Sequence, residues 1–123
     1  MTSLRGIIRS GVGEASKLWD WCGIKTTLAD DTVHAGTINI WLDSYCSLNF
    51  VADFHFPNHV QNKGRCEAIE FQRCRLRLGD TEVQGYIAKT AEDFWGKHQT
   101  IEIIAPFVSG ASDKAEVEVI VST

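Results

Sequence analysis

Apolar side chains recur along the first 22 residues with the spacing of one face of an α-helix. The positions that share this spacing are Leu4, Ile7, Ile8, Val12, Ala15, Leu18, Trp19 and Cys22. Ser3 can cap the start of such a helix, and Gly23 can end it in the left-handed conformation. The pattern therefore predicts an amphipathic helix over about residues 3–22, although each interior glycine costs about 1 kcal/mol there.

After Gly23 the apolar residues alternate with polar ones at the period of two that is typical of half-buried β-strands. A short strand is predicted over residues 24–28. Two longer runs, 33–42 and 46–56, are predicted to form a hairpin closed by a three-residue loop. In this register the apolar side chains of both strands share one face, and a slip by one residue would destroy the match.

A glycine–aspartate pair at residues 79–80 lies between two further alternating runs. It predicts a second hairpin with a two-residue turn, in which Arg77 lies opposite Glu82 and Cys74 opposite Gly85. In the first of these strands the apolar residues change from odd-numbered to even-numbered positions at residues 72–73. An unpaired extra residue produces such a change, so the sequence predicts a β-bulge at that point.

Two last strands are predicted over residues 99–108 and 115–122, after one helical turn at 91–97. A lone amphipathic helix has to bury its apolar stripe, and the apolar face of a sheet is the large surface available to it. The predicted fold is therefore a single α+β domain over residues 1–123. In it, a curved antiparallel sheet of about six strands packs on the N-terminal helix, and the alternative is a helix-capped β-barrel.

The composition excludes several classes of protein. The 123 residues include 44% hydrophobic and 23% charged side chains, which are values of a globular domain and not of a disordered chain. No apolar run reaches the roughly 18–20 residues of a membrane span, and residues 1–12 lack the apolar core of a secretion signal. A net charge of −4 argues against general nucleic-acid binding, although residues 63–77 hold five basic and two acidic side chains.

The cysteines are far apart in the sequence and form no C-x-x-C pair: Cys22, Cys46, Cys66 and Cys74. Reduced thiols in a cytoplasmic protein are the prediction, and two disulfides or a zinc site are the alternatives. His55 and His59 lie near Cys66 in the sequence, but the tight ligand spacing of a zinc site is incomplete. No metal and no cofactor are therefore predicted.

The polar face of the first predicted hairpin is a candidate ligand site. It combines an aromatic ring with amides, a carboxylate and an imidazole: Trp41, Asn39, Ser47, Asn49, Asp53 and His55. Polar groups of this kind orient a ligand while the ring supplies contact area. The alternative is a solvated face or a dimer interface, because an antiparallel sheet commonly has one face in water.

Three arginines at a period of two form a second candidate site, for an anionic ligand such as a phosphate or a carboxylate. They are Arg73, Arg75 and Arg77. Glu82 lies opposite Arg77 in the predicted hairpin. This pairing favours the alternative of a charged strand face in solvent.

The sequence contains no glycine-rich phosphate loop and none of the common local catalytic signatures. Several aromatic side chains are expected at the surface, where such groups mark interfaces: Trp41, Tyr45, Tyr86, Phe94 and Trp95.

The predicted function is a small cytoplasmic binding or interaction module without catalytic activity, with a homodimer as one form of it. The first alternative is a small enzyme or ligand-binding protein that uses Asp53 and His55 in a pocket of the sheet. The second is the binding of an anionic ligand by the three arginines.

Overall fold

The computed structural model describes residues 2–9, 21–28, 30, 32–33, 37–43, 49–62, 65–90, 100–106, 111–112 and 114–122. Within these residues the chain forms seven strands and one helix. In chain order they are β1 (Thr2–Arg9), α1 (Trp21–Leu28), β2 (Ile38–Leu42), β3 (Phe54–Asn62), β4 (Arg65–Leu78), β5 (Thr81–Thr90), β6 (Thr100–Ile104) and β7 (Glu116–Val121).

Six of the strands close into an antiparallel barrel in the order β4–β5–β6–β2–β1–β7, and the pairing of β7 with β4 completes the ring. β4 is long enough to serve two neighbours along one edge. It pairs with β3 as far as Phe71 and with β7 from Arg75 onward, so β3 lies outside the ring.

The interior of the barrel is filled by apolar side chains that alternate with outward-facing residues along the strands. Those that are almost completely buried include Ile40, Leu76, Ile87, Ile103, Val119 and Val121. The interior of an eight-stranded barrel is just wide enough for side chains to fill. A six-stranded barrel is narrower still, and its interior is therefore a packed core.

A second apolar cluster lies on the outer face of the barrel and includes residues of α1 and β3. Its buried members are Ile24, Leu28, Val33, Phe56, Ile69, Phe71, Tyr86, Ala88 and Ile104. Tyr86, expected at the surface, is 2% exposed, and its hydroxyl donates a hydrogen bond to Asp30 Oδ2 at 3.1 Å. Burial, followed by this bond, raises the pKa of the Tyr86 hydroxyl. This side of the barrel is therefore covered.

The predicted N-terminal helix over residues 3–22 is wrong, and so is the α+β fold in which that helix packs on a sheet. Residues 2–9 form β1, which pairs with β2 on one edge and β7 on the other. Apolar residues at positions 4, 7 and 8 suit a helix face, but in β1 the side chains of Leu4 and Ile8 enter the barrel core. The alternative of a barrel capped by the same helix shares the error, because this segment is a strand of the ring. Residues 10–20 lie outside the described residues.

The predicted hairpin between residues 33–42 and 46–56 is also wrong. β2 has β1 on one edge and β6 on the other, so neither edge is open to the segment that follows it. Residues 49–53 form no strand, and regular pairing resumes at Phe54. The short strand predicted over residues 24–28 is replaced by the helix α1.

The second predicted hairpin is confirmed. Arg77 pairs with Glu82, and the φ of 56° at Gly79 gives the first central residue of the turn the conformation that glycine adopts without strain. The strands predicted over 99–108 and 115–122 contain β6 and β7, whereas the helical turn predicted at 91–97 lies outside the described residues.

The bulge predicted at residues 72–73 is wrong, because β4 and β5 pair without a register shift through these positions. The parity of the apolar residues changes there for another reason. The first half of β4 buries Ile69 and Phe71 in the outer cluster, and the second half buries Cys74 and Leu76 in the barrel. Successive strand residues face opposite sides, so the same straight register serves two cores.

Candidate functional site

The structure separates the polar residues that the sequence places in one cluster. Trp41 and Asn39 lie on β2, whereas Asp53 directly precedes β3 and His55 lies on β3, which is not a neighbour of β2 in the sheet. Asn49 is an exposed residue outside the strands. The cluster depended on the pairing of residues 33–42 with 46–56, which does not form. Ser47 lies outside the described residues.

Asp53 accepts a hydrogen bond from a backbone N–H on the edge of β4 that pairs with β3 and β7. The N–H of Arg73 lies in the gap between the partner strands β3 and β7, and it donates a hydrogen bond of 2.8 Å to Asp53 Oδ2. The N–H of Asp53 in turn donates to the carbonyl oxygen of Phe71 at 2.8 Å. Hydrogen bonds to an ionised carboxylate are among the stronger ones in proteins. The geometry therefore gives Asp53 a role in holding the strands together.

His55 pairs with β4 in the same region. Its Nδ1 lies 3.4 Å from Glu70 Oε2, and 57% of its side chain is exposed. A general acid or base must reach the proton of a bound substrate. Neither His55 nor Asp53 lines the pocket beside β1, β4 and β7 that is described below. Both side chains contact groups of the neighbouring strand β4.

The three arginines of β4 are exposed, and each lies near a carboxylate. The guanidinium of Arg73 is 3.8 Å from Asp53 and 4.7 Å from the centroid of the Phe54 ring. Arg75 and Arg77 both pair with Glu82, at 3.2 Å and 3.3 Å. Exposed pairs of this kind contribute only about 0–1 kcal/mol each, but they offset the positive charge. The arrangement favours a charged strand face in solvent over an anion site.

Glu118 on β7 forms ion pairs with Arg5 on β1 and Arg77 on β4, the two strands that flank β7 where the barrel closes. It accepts hydrogen bonds from Ser3 Oγ and from Arg77 Nη1, the latter at 3.1 Å, and lies 3.4 Å from Arg5 Nε. The bond from Ser3, together with the two guanidinium groups, holds the pKa of this carboxyl below its usual value. Charges of alternating sign thus run across four strands through Arg5, Glu118, Arg77, Glu82 and Arg75.

Among the described residues, Trp41 is a large aromatic side chain that the outer face of the barrel leaves in solvent, with 51% of its surface exposed. The guanidinium of Arg9 lies 4.8 Å from its ring centroid, a cation–π contact. Next to Trp41 on β2, Asn39 is paired with Arg9 on β1 and with Glu102 on β6. We call this patch the Trp41 surface and define it as Ile7, Arg9, Asn39, Trp41, Thr100 and Glu102.

A pocket of about 430 Å³ adjoins the Trp41 surface at Ile7, on the side of β1, β7 and β4. Its polar lining consists of Arg5, Asp43, Arg77, Glu116 and Glu118. Gly6 and Gly79 also line it. The pocket therefore combines two guanidinium groups with three carboxylates.

Sequence analysis missed Arg9, Asp43 and Glu116 as candidate site residues. Arg9 was missed because apolar residues at positions 4, 7 and 8 fit a helical face, so the sequence of this segment did not indicate the outward position of Arg9 on a strand. No local signal brings residue 43 near residue 116. Their proximity depends on β1 pairing with β2 on one edge and β7 on the other.

Within the described residues, no group of three or more His, Cys, Asp and Glu side chains could hold a metal ion. Cys22 is exposed and Cys74 is buried, and both are free thiols. Burial raises the pKa of the Cys74 thiol to about 12, so this thiol is unreactive at neutral pH. The predictions for Cys46, Tyr45, Phe94, Trp95 and the side chains of His59 and Cys66 lie outside the described part of the chain.

No helix in the described ranges combines the length and the apolar character that crossing a membrane requires. No protein-family model matches the chain, and comparison with curated proteins gives no match.

Proposed function

We propose that this protein is a non-catalytic interaction module that forms a homodimer through the Trp41 surface. The observation that carries the proposal is the half-exposed ring of Trp41 on a strand that is paired along both edges. Tryptophan and arginine are enriched among the residues that dominate binding energy at interfaces. A ring on a fully paired strand loses little conformational freedom on binding, which favours association.

The Trp41 surface suits a second copy of the same chain because its charges are complementary to each other. Arg9 and Glu102 lie on opposite sides of Asn39, on the two strands that flank β2. A two-fold axis near Asn39 would bring Arg9 of each copy towards Glu102 of the other, with the two Trp41 rings between them. An aromatic centre with charges around it is the usual anatomy of such an interface.

The two alternative functions receive less support from the geometry. Catalysis by Asp53 and His55 would require a substrate site beside them, whereas both groups face β4. Binding of an anion by the arginines of β4 would compete with the carboxylates of Asp53, Glu82 and Glu118.

We also propose a cytoplasmic location, which the free thiols described above support because thiols persist in a reducing compartment.

Sedimentation velocity tests the homodimer and the role of Trp41. The wild-type chain is expected to show a monomer–dimer equilibrium with a Kd on the order of micromolar, as is typical of a small, weak interface. Trp41→Ala removes the ring from both copies and is expected to weaken dimerisation at least about 30-fold, the effect of losing one hot-spot residue of about 2 kcal/mol.

Val51→Ala is the matched control, because Val51 is also a large exposed apolar residue, at 59%, and lies outside the Trp41 surface. This variant is expected to dimerise like the wild type. A wild-type chain that stays monomeric up to about 100 μM, a concentration that would populate any micromolar dimer, overturns the proposal. Equal weakening by both variants would also contradict it.

A further inference from the structure

The pocket beside the Trp41 surface contains two carboxylates that form no ion pair with the other described residues. Within the described residues, the carboxylates of Asp43 and Glu116 form no ion pair, whereas Glu118 in the same pocket pairs with two arginines. The backbone N–H of Asp43 donates to the carbonyl oxygen of Arg5 at 2.9 Å, which holds this residue at the wall of the pocket.

The two guanidinium groups of the pocket are already engaged. Arg77 lies between Glu118 at 3.1 Å and Glu82 at 3.3 Å, and Arg5 lies 3.4 Å from Glu118. Both arginines share Glu118, and Glu82 is shared with Arg75, so these pairs offset only part of the positive charge; the two arginines and three carboxylates of the lining together sum to −1. What remains at the pocket is negative charge, and the chain as a whole carries a net charge of −4. The pocket therefore attracts a cation.

The shape and chemistry of the pocket favour an organic cation over a metal ion. Hard metal ions need several oxygen ligands converging on one point, and no such group is formed by the described residues. A volume of about 430 Å³ falls within the range of small-ligand sites. Ile7, which is half-buried, adds an apolar wall along which an alkyl chain can lie.

We propose that this pocket binds a primary ammonium or guanidinium group at the end of an alkyl chain, with Asp43 and Glu116 as its counter-charges and Ile7 in contact with its methylene groups. This cation can come from a free alkylamine or from a lysine or arginine side chain of another protein. The two sources share the chemistry that the pocket recognises.

An NMR titration of the full ¹⁵N-labelled chain tests the pocket, with N-acetyl-lysine methylamide as the probe. Saturable shifts are expected at the backbone amides of Gly6, Asp43, Gly79 and Val117, all of which belong to residues lining the pocket. N-acetyl-norleucine methylamide has a similar alkyl chain without the ammonium group and is expected to leave these amides unshifted. The titration is run on the Trp41→Ala variant as well, so that its outcome does not depend on dimer formation.

Isosteric variants then assign the binding to the two carboxylates. Asp43→Asn and Glu116→Gln are each expected to weaken binding of the lysine probe up to about fivefold, the range of a single exposed charge pair. Asp80→Asn removes the same charge from a turn residue that does not line the pocket, and it is expected to bind like the wild type.

Two results would overturn the proposal: equal shifts with the norleucine derivative, or unchanged binding by both pocket variants. A parallel titration with butylamine distinguishes the sources. Binding of butylamine as tight as that of the lysine derivative supports a free amine, and tighter binding of the lysine derivative supports a protein side chain.

Discussion

Replacing Phe71 with alanine is expected to lower the free energy of unfolding by about 3–5 kcal/mol, the usual range for a buried aromatic residue. The side chain of Phe71 is completely buried in the outer cluster, and its ring packs edge-to-face on Phe56 with centroids 5.5 Å apart. Truncation removes this contact and leaves a cavity between β4 and β3, which pair at this residue. Urea unfolding followed by circular dichroism measures the loss.

Phe71→Leu is the control for Phe71→Ala, because leucine keeps an apolar side chain of intermediate volume in the same place. It is expected to cost about 1 kcal/mol, within the range of tolerated core substitutions. A loss below about 1 kcal/mol for the alanine variant would mean that the outer cluster does not contribute to the folded state as described.

Replacing Gly6 with alanine is expected to lower the free energy of unfolding by about 3 kcal/mol, at the upper end of the cost of overpacking. A Cβ atom at this position would overlap the carbonyl oxygen of Trp41 and lie 2.8 Å from its carbonyl carbon. Both are backbone atoms of β2, so the clash is relieved only if β1 and β2 move apart. Urea unfolding again gives the measurement.

Gly79→Ala is the matched control for Gly6→Ala, because it adds the same methyl group at a glycine with no atom within 4 Å of the new Cβ. Its cost arises from the positive φ of 56° alone and is expected to be about 1–2 kcal/mol. Equal losses for the two variants would show that close contact between β1 and β2 at Gly6 does not limit stability.

The hairpin of β4 and β5 could be predicted from the sequence because its information is local. A two-residue turn with glycine first determines the pairing outward from the turn, and the alternation of apolar residues agrees with it. β6 and β7 were predicted for the same reason, since their apolar residues at a period of two all enter the barrel core.

The N-terminal strand could not be predicted from its own pattern. Apolar residues at positions 4, 7 and 8 fit a helical face, and only pairing with β2 and β7, both distant in sequence, makes the segment a strand. The first hairpin failed for a related reason. Alternation shows which residues are inside but does not identify the neighbouring strand, and β2 is enclosed by β1 and β6.

The sequence indicated that Trp41 and the arginines of β4 point outward, because each lies at a polar-facing position of an alternating strand, and all four are exposed in the structure. The pocket of Asp43 and Glu116 was not found, because it exists only where three strands meet around the closure of the barrel. A site built from non-local pairing leaves no spacing in the sequence to detect.

Closure of the ring determines where a partner can bind, because a closed and filled barrel confines binding to its outer surface. Closure depends on the pairing of residues 75–77 of β4 with residues 118–120 of β7. NMR is expected to show backbone nuclear Overhauser contacts between these two segments, with slow hydrogen exchange of their paired amides. Absence of these contacts and rapid exchange in β7, with the contacts between β4 and β5 intact, would show an open sheet and contradict the account.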